Sequence, residues 1–514
     1  LAKSKSPILK LALFATGLSG IVAEYILSTL ATYFIGDSAV QWSLIVSVML
    51  FSMGLGSRLS KYVSGNLLVK FIIVEFVLSV LVSFSSTLAY TVSGFSEYTG
   101  FFIYTLAIII GTLIGLEIPL VIRLNEKFES LKVNVASVME KDYWGSLVGG
   151  LFFAFVGLPI LGLTYTPFIL GSINLIVALV LFFTVRAEIP KTRQVGITIS
   201  GAGISALIIF GVFMAKPVIL FGEQARYQDK VIYTKQSKYQ RIVMTQWKDE
   251  YWLYINGNQQ LSTIDEEKYH EPLVHPAMQL APRQKDVLVL GGGDGCAVRE
   301  ILKYPDVESV TLIDLDSVIT NLGQKHPILT ELNNNSLNDP RVEIINTDGF
   351  NFLERERRYY DVIFVDLPDP RSIELNRLYT KQFYELCHRS LRPKGVMVTQ
   401  AGSPYYATKA FRCIDKTMAA AGFTTAMLHN QVITLGEWGW VLGAKNFPEN
   451  RSLKETLQAI KLKDVETDWL NHEAMQLITS FGKDIYHPTD SVEVNQIQNP
   501  VLYRYYLNGN WDLY

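Results

Sequence analysis

The chain has 514 residues, of which 49% are hydrophobic, and its formal net charge is −2; the length exceeds what one core usually supports. With no clustered basic stripe in its polar part, that balance argues against nucleic acid as a partner. The three cysteines, Cys296, Cys387 and Cys413, have neither an even count nor metal-ligand spacing, so a reducing compartment and packing roles are expected.

Charge is concentrated after about Phe221. Before it, the apolar runs Ile8–Ile35, Val40–Gly56, Leu67–Val92, Phe101–Ile122, Trp144–Gly162, Pro167–Val185 and Ile197–Met214 are each about long enough to cross a hydrocarbon core of roughly 30 Å as a helix. About seven transmembrane helices are expected over residues 1–215. The first run is too long for a secretory signal peptide and further spans follow it. Lys3, Lys5 and Lys10, then Arg58 and Lys61, then Arg123, Lys127 and Lys132, then Arg186, Lys191 and Arg193 occupy alternate connections, which places the N-terminus inside. An odd number of spans would leave the rest of the chain outside. A half-spanning or re-entrant segment near Ala136–Gly162 would return it to the cytoplasmic side.

Small residues in these runs, such as Gly54-Leu55-Gly56 and Gly145 to Gly150, are expected to permit close helix contact. Glu24, Glu75 and Glu117 lie within or beside apolar runs, where an unpaired carboxylate is costly. Each is expected to face the bundle interior or an interface, either in a polar path for an amine or headgroup or paired with Ser, Thr or Tyr.

Beyond the helices, Tyr227 to Leu261 alternates apolar and polar residues, and Asn256-Gly257 is a hairpin signal. A small antiparallel β-domain is expected over residues 216–280. Strand-like runs then recur at Val287–Leu290, Val310–Ile313, Val342–Ile345, Val362–Val365 and Val396–Thr399, alternating with helical stretches. This is the pattern of a doubly wound α/β sheet over residues 281–514, with ligands expected at the carboxyl ends of the strands. The most informative stretch is Val287 to Asp316: a buried strand, a glycine turn at Gly291–Gly295 and a second strand ending at Asp314. An acid arriving there, roughly twenty residues on, suits a ribose.

Several separated blocks, in order, resemble the spermidine synthase family, the polyamine aminopropyltransferases. They are Tyr239-Gln240; INGNQQLSTIDEEKYHEPLVH, with Gln260, Asp265, Glu266, Tyr269, His270 and Glu271; the GGGDG turn; LIDLD; DPRVEIINTDGFNFL; and YDVIFVDLPDP leading into LYTKQFYELCHRSLRPKGVMVTQ. The similarity runs from about Tyr227 to about Ala444. The apolar region in front and Gly436 to Trp440 behind make the chain similar to the family's membrane-embedded branch. The resemblance implies a membrane helical bundle followed by a small β-domain and a Rossmann-like, class I methyltransferase-like sheet.

It also implies transfer of the aminopropyl group of decarboxylated S-adenosylmethionine, with no metal, to a diamine such as putrescine, releasing methylthioadenosine. On that resemblance Asp366 is the catalytic base and Asp369 binds the acceptor, while Tyr269 and His270 orient amine and co-substrate. Gln240 and Gln260 supply neutral hydrogen bonds around the co-substrate, and Gly291, Gly293 and Asp294 approach it, Asp294 contacting the propylamine or simply capping the next helix. Asp314 takes the ribose hydroxyls, where the family usually has Glu. Asp348 takes the adenine amino group, with Gly349 admitting the backbone, or forms a plain turn. Glu437, Trp438 and Trp440 form a rim to the acceptor pocket, or close the sheet with a last strand at Gly439–Gly443.

Two departures bear on the acceptor: Arg371-Ser372-Ile373 replaces Gly-Pro-like residues, setting a fixed cation near a dicationic diamine, and Asn256 replaces an Asp. A lipid headgroup amine as acceptor, with Arg371 as phosphate partner, and a non-catalytic polyamine transporter or sensor are the alternatives. The partners implied are a small-molecule amine and the lipid bilayer of the cell membrane, crossed several times with the catalytic part cytoplasmic; homo-oligomerisation is left open.

Overall fold

The computed structural model describes residues 5–36, 38–96, 98–126, 129–462, 464–486 and 491–511. Lys3 and Lys127, used above to orient the chain, lie outside the described residues. The fold divides into two compact units, Leu1–Trp247 and Lys248–Tyr514.

Among its described residues the first unit holds seven long helices: α1 (Lys5–Ile35), α2 (Ser38–Leu59), α3 (Leu67–Phe95), α4 (Thr99–Asn125), α5 (Leu131–Phe152), α6 (Gly162–Val185) and α7 (Lys191–Gln224). Between α5 and α6 the backbone runs on through a π-helical stretch, Phe153–Leu161, which contains Pro159. A proline removes an N–H donor from the helical ladder, and a wider turn accommodates the loss. Among the described residues six continuous segments are long and apolar enough to cross a membrane, α5 and α6 falling within one 58-residue segment, Leu131–Glu188.

Small residues set the helix spacing. A Cβ at Gly56 of α2 would lie 2.0 Å from the Thr112 carbonyl oxygen of α4, and one at Gly145 of α5 would lie 2.0 Å from that of Phe14 in α1. Gly54, by contrast, has nothing within 4 Å, so only its neighbour serves contact. Glu24, Glu75 and Glu117 are all buried, Glu75 and Glu117 at 1% and 0% exposure. Thr16 Oγ1 lies 3.5 Å from Glu75 Oε1, while neither carboxylate oxygen of Glu117 has a hydrogen-bond partner among the described residues. The unit ends in the antiparallel strands β1 (Lys230–Gln236) and β2 (Arg241–Trp247). Buried Glu223 near the end of α7 holds Arg241 at 2.8 Å, which ties β2 to the last helix.

The second unit opens with the antiparallel hairpin β3 (Glu250–Ile255) and β4 (Asn258–Ser262). Its turn has φ 50° at Asn256 and 81° at Gly257, two consecutive left-handed residues as a tight hairpin requires. Next come α8 (Glu267–Leu280), β5 (Asp286–Gly291), α9 (Cys296–Leu302), β6 (Ser309–Asp314), α10 (Ser317–Lys325), β7 (Val342–Asn346), β8 (Tyr360–Asp366), β9 (Leu391–Gln400), β10 (Thr424–Val432) and β11 (Gly436–Ala444).

The seven-stranded sheet has the order β10-β11-β9-β8-β5-β6-β7. Strands β5 to β9 pair in parallel, while β11 runs antiparallel to both β9 and β10. Both faces are covered: Val287 and Val289 enter one apolar layer, Leu288 and Leu290 the other. A strand buried on both sides reads as an unbroken apolar run, which is why its four core residues were legible. Strand β10 has no counterpart among the expected strands, and β11 is longer than the expected Gly439–Gly443. All three cysteines are buried and unbridged.

Candidate active site

The parallel strands place their carboxyl ends side by side, with Gly291 of β5 in register with Asp366 of β8. Gly291, Gly292 and Gly295 have φ of 84°, 67° and 89°. A Cβ on Gly291 would lie 2.0 Å from the Asp366 carbonyl oxygen, and the Gly292 N–H donates to that oxygen at 3.0 Å. The glycine turn and Asp366 are therefore one rigid piece, held where strand ends gather ligands.

Helix α8 brings two side chains to it. Tyr269 Oη donates to Asp366 Oδ1 at 2.7 Å, and Trp440 of β11 packs edge-on to the Tyr269 ring with centroids 5.4 Å apart. His270 is buried, its Nδ1 2.7 Å from Glu266 Oε2, and Glu266 in turn takes two hydrogen bonds from Arg299 at 2.7 and 3.0 Å. His270, Asp294 and Asp366 each offer an atom within 4.8 Å of the others.

Burial pushes the Asp366 carboxyl up to about 6; the His270 charge opposes this, Asp294 adds to it, and the Tyr269 hydrogen bond opposes it. For His270 burial works against the charge, but the hydrogen bond and charge of Glu266, with Asp294 and Asp366, outweigh it and lift the imidazole to about 9. The trio thus brings one imidazole and two carboxylates together at the ends of the parallel strands.

Asp314 ends β6 beside the glycine turn. A Cβ on Gly293 would lie 2.7 Å from Asp314 Oδ2, while Oδ1 accepts the Asp316 N–H at 2.8 Å. Burial pushes its carboxyl up to about 6. Asp294 accepts the Cys296 N–H at 2.8 Å through Oδ1, so it caps α9 whatever else it meets. Asp348 caps the helix Gly349–Arg355 through the Asn351 N–H and is held by Arg377 at 2.6 and 2.7 Å. A Cβ on Gly349 would make only ordinary contact, 3.8 Å from Leu290, so the fold itself does not demand a glycine there.

Other expected residues stand differently. Gln260 on β4 spends its amide N–H on the Asn258 and Gln259 carbonyls. Gln240 lies in the β1–β2 turn of the first unit, where its backbone N–H bonds Ser237 Oγ. Glu437 departs from the expected rim with Trp438. Alternate residues of a strand face opposite sides, and Glu437 points away from Trp438 and Trp440 to pair with His429. Both tryptophans lie in the core layer that includes Val289, and neither indole N–H has a partner among the described residues. Two motif acids are structural: Asp265 holds Thr434 in the β10–β11 turn, and Glu271 accepts the N–H groups of Asp468, Trp469 and Leu470.

Around Asp369 the structure gathers residues to which the motifs gave no role. Tyr506, in the helix Val501–Leu507, donates to Asp369 Oδ2 at 2.6 Å. Gln400, at the end of β9, donates to Oδ1 at 3.3 Å and to the Leu367 carbonyl at 2.8 Å. Tyr379 Oη holds the Pro368 carbonyl at 3.0 Å. Gln400 was open to discovery as the last residue of a parallel strand, whereas Tyr506 carries no local signal.

Residues 266–452 match the family model of the spermine/spermidine synthase domain. Across nearly its whole length the chain is 41% identical, over 507 residues, to polyamine aminopropyltransferase 2 of Aquifex aeolicus, covering 98% of this chain and 99% of that one. It is 39% identical over 487 residues to the polyamine aminopropyltransferase of Leptospira interrogans, covering 95% of each. The crystal structure of a spermidine synthase in complex with the transition state analogue AdoDATO is 27% identical, covers 50% of this chain and 87% of that one, and gives a TM-score of 0.45. The chain belongs to the polyamine aminopropyltransferase family of spermine and spermidine synthases. It is an enzyme of aminopropyl transfer.

Proposed function

We propose that the protein is an integral-membrane aminopropyltransferase, its catalytic half cytoplasmic, that moves the aminopropyl group of decarboxylated S-adenosylmethionine to a diamine such as putrescine, giving spermidine and methylthioadenosine. The observation that carries this reading is the Tyr269–Asp366 hydrogen bond at the glycine turn, beside His270 and Asp294. An ammonium is no nucleophile until it loses a proton. Asp366, a carboxylate above about pH 6, takes that proton as the amine nitrogen bonds to the methylene beside the sulfonium. The carbon–sulfur bond breaks, its electron pair stays on sulfur and a neutral thioether leaves. Because the sulfonium already leaves readily, alignment of nitrogen, carbon and sulfur supplies much of the acceleration.

Asp314 offers two acceptor oxygens for the ribose hydroxyls, and the absent side chain of Gly293 leaves room beside it. Asp294 faces the donor's amine, and Gln260, His270 and Gly291 complete the donor site on this reading. Asp348 and Gly349 receive the adenine, Asp348 by sharing its carboxylate with Arg377. The unpartnered indole N–H groups of Trp438 and Trp440 fit a pocket wall. The six apolar segments support a multi-pass membrane protein. As domains we retain a transmembrane bundle over residues 1–215, a small β-domain over 216–280 and the transferase sheet over 281–514.

Transfer to a lipid amine finds less support: its phosphate contact was to be Arg371, which here serves Asp369, Tyr506 and Asn258. The purified protein, given labelled donor with either putrescine or total lipid, is expected to yield labelled spermidine by mass spectrometry. Labelled lipid without labelled polyamine would overturn the reading.

A further inference from the structure

Asp369 is held from the far end of the chain. Tyr506 lies in the helix Val501–Leu507, beyond residues 266–452, which match the family model. Its hydroxyl accepts from Arg371 Nε at 3.0 Å and donates to Asp369 Oδ2 at 2.6 Å. Burial, and after it the Asp369 charge, raise the phenol above its ordinary range, so it stays protonated and keeps donating. The guanidinium itself is set back: Nη2 is 3.5 Å from Oδ2, beyond the roughly 2.7–2.9 Å of a direct charge-assisted pair. Nη1 donates instead to Asn258 Oδ1 in the β3–β4 hairpin. The phenol therefore stands between cation and carboxylate as a spacer. It is fixed there in turn, because the Trp511 indole N–H donates to the Tyr506 carbonyl at 2.7 Å and the Tyr503 N–H bonds Asn376 Oδ1 at 3.0 Å.

The other oxygen, Oδ1, is less engaged. It accepts from Gln400 at 3.3 Å, and even a Cβ on Gly402 would stay 3.6 Å from it. A carboxylate oxygen has two lone pairs to offer, so Oδ1 keeps capacity for a further donor. We infer that Tyr506 is a positioning residue of the acceptor site: it fixes Oδ2 and holds Arg371 off the carboxylate, so that Asp369 keeps its charge, and Oδ1, for the far ammonium of a diamine. Without the hydroxyl the guanidinium is able to close onto Oδ2 as a direct pair and draw that charge to itself. The inference rests on the proposed aminopropyl transfer to a diamine and adds the residue that keeps the second carboxylate available to it.

The test uses the full-length protein and labelled donor, with putrescine and with n-butylamine, which has the same four-carbon chain and lacks the far ammonium. Where butylamine is not turned over, its inhibition constant against putrescine replaces its KM. In Tyr506→Phe the KM of putrescine is expected to rise about tenfold, the scale of one lost hydrogen bond to a charged group. The kcat, the donor affinity and the butylamine constant are expected to stay near wild type. An unaltered KM for putrescine overturns the inference. So does a rise shared equally by both amines, or a loss of donor affinity, either of which would assign the tyrosine to packing. A second variant, Tyr506→Phe combined with Arg371→Gln, removes the cation that closes on Asp369. Its KM for putrescine is expected to return to within about threefold of wild type, and a KM that stays raised as in the single variant overturns the spacer role. Turnover of neither amine by the wild type would overturn the proposed reaction itself, an outcome distinct from turnover with an unaltered KM.

Discussion

Tyr269 and Asp366, 97 residues apart in sequence, are joined by a 2.7 Å hydrogen bond from the phenol to Oδ1 of the carboxylate. One oxygen of Asp366 is thereby fixed, and the other, Oδ2, faces the glycine turn beside Gly292. The His270 charge opposes the lift that burial gives this carboxyl, and the tyrosine bond adds a smaller opposition, so the same tyrosine orients the base and favours its ionised form.

Asp366→Asn is expected to retain donor binding and to lose roughly 10²–10⁴ in kcat, the usual scale for a general base, because an amide cannot take the proton. Calorimetry of donor binding together with steady-state rates checks this. Near wild-type turnover at saturating substrate would remove Asp366 from that role.

The pH profile has a defined sign. Asp366 and Asp314 both have carboxyls pushed up to about 6, and both are needed ionised, one to receive a proton and one to accept from ribose. The value of kcat/KM should therefore fall as pH drops through about 6, with a limiting logarithmic slope above one because two protons add. A limb lying near the ordinary carboxylate value would contradict this.

Tyr269→Phe removes a hydrogen bond that holds the Asp366 carboxyl down. The acid limb of kcat/KM should shift to higher pH, and kcat should fall because one oxygen of the base is released. A lowered rate with an unmoved limb would mean that the tyrosine serves packing alone.

Asp314→Ala should weaken donor binding by about 1.5–3 kcal/mol, the scale for hydrogen bonds to a charged group, which is roughly tenfold or more in the dissociation constant. Titration calorimetry with the donor measures it, and unchanged affinity would take Asp314 out of the ribose site.

His270 links stability to pH. Its folded value of about 9 lies above the ordinary 6.5, so its contribution is complete below about 6.5 and is lost as pH rises through 9. The thermal midpoint should decline across that window. In Glu266→Gln, which removes the counter-charge at 2.7 Å, the decline should be shallower; an equal decline would place the linkage elsewhere.

Local chemistry was enough to read much of this enzyme from its residues. Consecutive apolar residues such as Val287–Leu290 mark a strand buried on both faces, and Gly291–Gly295 marks a turn where a side chain would strike Asp366. Asp314 and Asp366 fall at strand ends because a parallel sheet aligns them, and long uncharged runs mark the helices. Each of these follows from neighbours a few residues apart, where periodicity and turn geometry act.

Tertiary structure alone decided the rest. Which face of β11 Glu437 takes depends on register with β10, not on the residue itself, and the pairing Gln431 to Glu437 turned it toward His429. That Tyr506 completes Asp369 across 137 residues, and that Arg371 bridges Asn258 and Tyr506, follows from packing of distant segments. Their closeness is set by the global minimum of the fold and leaves no trace in local spacing.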